Sequence, residues 1–119
     1  MSRISIKKVM SYILRNTRLM RGYTQQYVAD QLGKTINAVS QWEMGKTSPP
    51  ADDLMELCRI YGITPNQVFG MESFPELEKF VHETQELEAQ IEALEKEQAK
   101  IEEKIKRLNE LKNNNRKLL

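Results

Sequence analysis

The sequence predicts an all-α protein: five short helices in the first 70 residues and one long helix after them. Three observations carry this. All five glycines, at positions 22, 33, 45, 62 and 70, fall in the first 70 residues and cut the chain into short segments. Past Pro75 there is no further Gly or Pro. From Leu77 onward apolar residues return with a period close to that of a coiled coil. Residues 1–70 therefore read as one small domain, and residues 71–119 as an oligomerisation helix.

Each element has its own justification. The first helix runs from about Ser5 to Arg21, with Ile6, Val9, Met10, Ile13, Leu14 and Thr17 on one stripe. Gly22 fits the left-handed position that closes it. Thr24 is a good cap for a second helix ending at Leu32-Gly33, and Thr35 caps a third that runs to Met44-Gly45. Lys46 to Pro50 is a loop. A fourth helix spans about Ala51 to Tyr61, with Asp52 and Asp53 at its positive end. Thr64-Pro65-Asn66-Gln67 has the grammar of a fifth start: a cap, proline at the first position, and Gln at the third.

Composition removes several function classes. No apolar run approaches the roughly 18 residues of a membrane span. Arg3, Lys7 and Lys8 have no apolar stretch behind them, so a secretory signal is not expected. One cysteine, Cys58, cannot build a disulfide framework or a cysteine metal site, and one histidine, His82, leaves little material for a catalytic constellation. No cofactor and no metal are expected, and the expected compartment is a reducing cytoplasm. The net charge of +1 hides an asymmetry: residues 1–70 carry nine Lys/Arg against five Asp/Glu, and residues 71–119 nine against twelve.

The second helix, the turn through Gly33-Lys34 and the third helix form a helix-turn-helix candidate, which alone is a weak signal. The longer string is specific. Leu14-Arg15, Arg18, Gly22, Thr24-Gln25, Ala29, Leu32-Gly33, Val39-Ser40, Glu43, Gly45-Lys46, Pro49, Leu54, Leu57, Gly62-Ile63 and Phe69 stand at fixed offsets without a gap. Together they resemble the lambdoid phage repressor and Cro family, the Xre-type helix-turn-helix, over about residues 10–70. The resemblance implies a five-helix lambda-repressor-like domain followed here by a coiled-coil helix. It implies double-stranded DNA as partner, and a bacterial or phage-encoded protein associated with the nucleoid.

The resemblance also assigns roles. The third helix enters the major groove, with Thr35, Ile36, Asn37, Ala38 and Gln41 toward the bases. The amides of Asn37 and Gln41 can bond adenine N6 and N7. Ile36 departs from the polar residue common at its position, but it and Ala38 can touch a thymine methyl, which points to an A/T-containing half-site. Gln25 at the start of the second helix, with Lys34, Lys46 and Thr47, suits phosphate oxygens. Arg18 and Glu43 pair structurally, a blander and better reading of Glu43 than catalysis. Trp42 falls at an apolar family position and reads as core, and Cys58 as a buried inert thiol.

In the long helix, with Leu77 as a, the a positions are Leu77, Thr84, Ile91, Gln98, Ile105 and Lys112. The d positions are Phe80, Leu87, Leu94, Ile101, Leu108 and Asn115. Eight of these twelve are apolar, a regularity that a single surface helix does not need, so a homodimer or a higher oligomer is expected. About 38 residues at ~1.5 Å each make a rod of roughly 57 Å. Ile91 and Ile105 at a, with leucines at d, favour a parallel pair that stacks Gln98 on Gln98. Against it, the g-to-e′ pairs Glu83–Glu88 and Glu97–Glu102 repel. An antiparallel pair sets the basic end (Lys104, Lys106, Arg107, Arg116, Lys117) near the acidic start at Glu72, Glu76, Glu78 and Glu83. Asn113-Asn114-Asn115 is expected to fray, and His82 falls at a solvated f position.

A homodimeric, sequence-specific DNA-binding regulator, acting as a repressor at an inverted repeat, is the leading expectation. The alternative is an interaction protein, of the antitoxin or partner-binding kind, whose coiled coil takes a different protein. The repelling glutamates favour it. An enzyme is a poor third, for there is no acid/base pair, phosphate-cradling glycine loop or metal-ligand spacing in the sequence.

Overall fold

The computed structural model describes residues 5–118, with side chains to Arg116. Arg3 and the side chain of Lys117 lie outside the described residues. The described chain is all-helical: α1 (Ile6–Arg21), α2 (Gln25–Leu32), α3 (Ile36–Glu43), α4 (Ala51–Tyr61), α5 (Pro65–Val68) and α6 (Pro75–Leu118). No helix among the described residues is long and apolar enough to cross a membrane. The chain forms two compact units, Met1–Val81 and His82–Leu119.

Three threonines start three of the short helices. Thr24 Oγ1 accepts the Tyr27 N–H at 3.0 Å, and Thr35 Oγ1 accepts the Ala38 N–H at 3.1 Å. Thr64 forms a full capping box: its Oγ1 accepts from the Gln67 N–H at 3.1 Å, while Gln67 Oε1 accepts from the Thr64 N–H at 3.0 Å. α4 starts at Pro50 without a side-chain cap, and Asp52 and Asp53 supply the negative charge in its first turn. At the turn between α2 and α3, Gly33 takes φ 64°, which aims the Lys34 N–H back at Ala29 O at 2.9 Å. Gly70 also has positive φ, and a Cβ there would lie 3.0 Å from Val9 Cγ1, so chain direction and close approach both select glycine.

The core of the first unit gathers one face from each short helix. Met10, Ile13, Leu14 and Thr17 of α1, Val28 and Ala29 of α2, Val39 and Trp42 of α3, and Leu57, Cys58 and Tyr61 of α4 are all buried. Ala29 is a small residue of α2, fully buried in this core. Ile6, expected on the apolar stripe of α1, is 64% exposed at the first residue of the helix. Burial holds the Cys58 thiol above its ordinary pKa. Tyr61 is raised further, by burial first and by the Glu43 carboxylate second.

The composition boundary at residue 70 and the boundary of the first unit do not coincide. Phe74 and Leu77 are buried in the first unit's core, with Phe80 and Val81 packed against it. Arg21 fixes this attachment by donating through Nε to Tyr61 O at 2.9 Å and through Nη1 to Glu76 Oε1 at 2.6 Å. Of the expected first a and d residues of the rod, Leu77 is instead a core residue of the N-terminal unit and Phe80 packs half-buried against that core. From His82 on, α6 is the second unit. It stays helical through Asn113-Asn114-Asn115, where fraying is expected from sequence. His82 faces Glu86 at 3.2 Å along its own helix. The apolar positions of this unit, Leu87, Ile91, Leu94, Ile101, Ile105 and Leu108, are 49–68% exposed, as is Leu111 just outside the heptad stripe.

Candidate nucleic-acid interface

α3 has two faces set by its wheel. At about 100° per residue, Val39, Trp42 and Ala38 share the inner arc. Val39 and Trp42 are buried and Ala38 packs against the same core. The outer arc, about 140° wide, carries Ile36, Ser40, Met44, Asn37 and Gln41. Ile36 and Met44 are large apolar side chains left in solvent, and Asn37 is exposed.

One charged cluster holds this helix in place. Arg18 of α1 donates to Glu43 at the end of α3 through Nε at 2.8 Å and Nη2 at 2.9 Å, a bidentate fork. Its Nη1 donates to Tyr23 O at 2.9 Å, and Gln25 Nε2 donates to Glu43 Oε1 at 3.2 Å. The two charged side chains are only 11% and 4% exposed, so each depends on the other for its solvation. α1, the entry to α2 and the end of α3 are thereby tied at one point. Tyr23 stacks over Tyr61 at 6.3 Å and leans on Tyr27 at 4.7 Å, which braces the same entry.

The sequence-assigned residues separate under this geometry. Ile36, Asn37 and Gln41 lie on the outer arc, Gln41 half-buried. Thr35 is exposed at the tip of α3, with its oxygen already accepting the Ala38 N–H. Ala38 is turned to the core rather than outward. The residue that shares the outer face is Ser40, four positions after Ile36; helical spacing alone could have found it. Lys46 and Thr47 are exposed, and their backbone N–H groups both return to Gln41 O, at 3.0 and 3.4 Å.

Two assigned phosphate contacts have partners within the fold. The Gln25 amide faces Glu43. The Lys34 ammonium lies 3.4 Å from Asp53 Oδ2 in an ion pair that lacks hydrogen-bond alignment. Asp53 sits 19 positions away on α4, so sequence alone does not announce this pairing. A shallow cleft at the start of α2 includes a residue not assigned from sequence: Arg15 of α1, exposed beside Thr24, Gln25, Gln26 and Ile36. Its signal is its place on α1, off the apolar stripe and one turn before Arg18.

Comparison with known proteins agrees with this arrangement. Residues 14–68 match the helix-turn-helix family. An SPbeta prophage-derived uncharacterised HTH-type transcriptional regulator of Bacillus subtilis (strain 168), YonR, is 37% identical over 51 residues. Those residues cover 43% of this chain and 47% of the relative, so the chain spans about half the length of the protein it matches. No solved structure matches the chain. The two-faced α3, its anchoring by Arg18 and Glu43 and the capped turn before it all lie within the matched segment. Residues 14–68 are thus similar to the Xre-type helix-turn-helix family, as the string of residues in the sequence leads one to expect.

Proposed function

We propose that the chain is a sequence-specific DNA-binding transcription regulator, a homodimeric repressor that reads an inverted repeat with α3 in the major groove. The observation that carries this reading is the division of α3. Its inner face is locked by Val39, Trp42 and the Arg18–Glu43 fork, and its outer face carries Ile36 and Asn37 exposed and Ser40 and Gln41 half-buried. Asn37 and Gln41 read adenine through bidentate amide bonds, and Ile36 meets a thymine methyl. Thr35 lies toward the bases at the tip of α3, and Arg15, Lys46 and Thr47 contact the phosphates on either side, with Gln25 and Lys34 joining when DNA draws them from Glu43 and Asp53. The exposed apolar stripe of the second unit pairs two chains and so presents two recognition helices to two half-sites. Occupying a promoter in this way excludes other proteins from it.

Selection of bound sequences from a random duplex library, at fixed salt, tests the reading. The expected result is an A/T-containing inverted repeat. With Asn37→Ala or Gln41→Ala, preference at one base pair of each half-site relaxes by about 1–3 kcal/mol. Recovery of no motif, with DNA held only at low salt, overturns it.

A further inference from the structure

The flanks of the second unit's apolar stripe are almost all of one sign. The e positions Glu88, Glu95 and Glu102 and the g positions Glu83, Gln90 and Glu97 border Leu87, Ile91, Leu94 and Ile101. Five of these six are carboxylates and none is a cation; the first basic flank is Lys104. Lysines of this stretch lie elsewhere on the helix: Lys96 is on the far side, paired with Glu92 at 3.1 Å. The seam itself holds two polar residues, Thr84 and Gln98, and the Gln98 amide donates to the flanking Glu102 at 3.2 Å.

Flanking charges choose partners in coiled coils. A second parallel copy sets Glu83 against Glu88 and Glu97 against Glu102, each twice by symmetry, and gains no attractive pair in this stretch. An antiparallel copy brings e toward e, where Glu88, Glu95 and Glu102 repel, and g toward g, where Glu83 and Glu97 outnumber the one cation, Lys104. The apolar stripe thus asks for a helix, while its borders disfavour one identical to itself. We infer that the preferred occupant of this seam is a heptad helix of another protein with Lys or Arg at its e and g positions. Such a partner displaces the second copy and releases the regulator from DNA. The inference rests on residues 84–108 being the dimer seam of the proposed repressor, and it adds the partner's chemistry and the direction of its effect.

The test uses the full chain with its selected operator and two synthetic peptides. One is the chain's own segment 82–112. The other is that segment with Glu83→Lys, Glu88→Lys, Glu95→Lys, Glu97→Lys and Glu102→Lys. Sedimentation follows chain–chain and chain–peptide complexes, and fluorescence anisotropy follows labelled operator. The lysine peptide is expected to dissociate the dimer and release DNA at about one tenth the concentration needed with the unchanged peptide, an advantage that shrinks as salt screens the flanks. Replacing the same five residues of the full chain by Gln is expected to tighten self-association about tenfold and abolish that advantage. If the two peptides compete equally against a dimeric chain, the partner inference falls and the homodimer stands. If the chain is monomeric alone yet binds the lysine peptide, the homodimer falls and the partner assignment stands. A monomer that binds neither peptide overturns both.

Discussion

Leu57 and Leu94 are the same residue in the same secondary structure, yet one is 2% exposed and the other 68%. Leu57 lies in the unit that ends at Val81, where six helical segments turn their apolar faces toward one another. Leu94 lies in the second unit, which is a single helix. The first unit buries its apolar surface by folding, while the second leaves its stripe exposed, the surface that the proposed pairing of two chains would cover. Recognition and assembly are therefore governed by separate interactions, and substitutions should affect one without the other.

Glu43→Ala should give the largest loss. It strands the Arg18 guanidinium in the core and frees α3 from α1, at a cost of about 3–5 kcal/mol. Denaturant unfolding of the first unit should show this as a lower midpoint, with operator affinity lost alongside. A cost below about 1 kcal/mol would mean the fork is not what anchors α3. Next come paired truncations, one on each side of the comparison. Leu57→Ala should destabilise the first unit by about 2–5 kcal/mol. Ile101→Ala should leave that unit's melting unchanged within about 0.5 kcal/mol and weaken self-association instead. Equal losses of first-unit stability from both would erase the distinction between the regions.

The smallest effect is a pH dependence confined to the first unit. Cys58 and Tyr61 both have raised pKa values in the folded state. The unfolded chain therefore releases these protons first as pH rises. The stability they contribute is complete below the ordinary thiol and phenol pKa values and declines above them. Well above about pH 10 the slope for Tyr61 approaches about 1.4 kcal/mol per pH unit, until its raised folded-state pKa is reached. Tyr61→Phe should flatten the phenol's share. An unchanged alkaline limb in that variant would remove Tyr61 as its source.

Much of the fold was legible because its punctuation is chemical. Thr24, Thr35 and Thr64 cap as their spacing predicts, and the glycines stop the helices they follow. The ends of α6 were less legible. Leu77 and Phe80 fit the heptad, but a 3.5-residue and a 3.6-residue period diverge by only about 20° per heptad. Over two turns, sequence cannot distinguish a residue facing another chain from one facing its own core. The site shows the same limit. Periodicity places the outer arc of α3, including Ser40 in place of Ala38, but not the occupation of Lys34 by Asp53. That pairing depends on how α4 packs beside α2, which local pattern does not encode.

Trp42 is the chain's single tryptophan, and it is buried behind the recognition face. Every tyrosine and phenylalanine also precedes His82, so the second unit has no aromatic side chain at all. The molecule is thus a two-channel instrument. Its intrinsic fluorescence and near-ultraviolet signals report only on the first unit. The far-ultraviolet helix signal is shared with the rod, which alone should change with protein concentration while the indole stays constant. Assembly and unfolding can therefore be followed in one cuvette without a label.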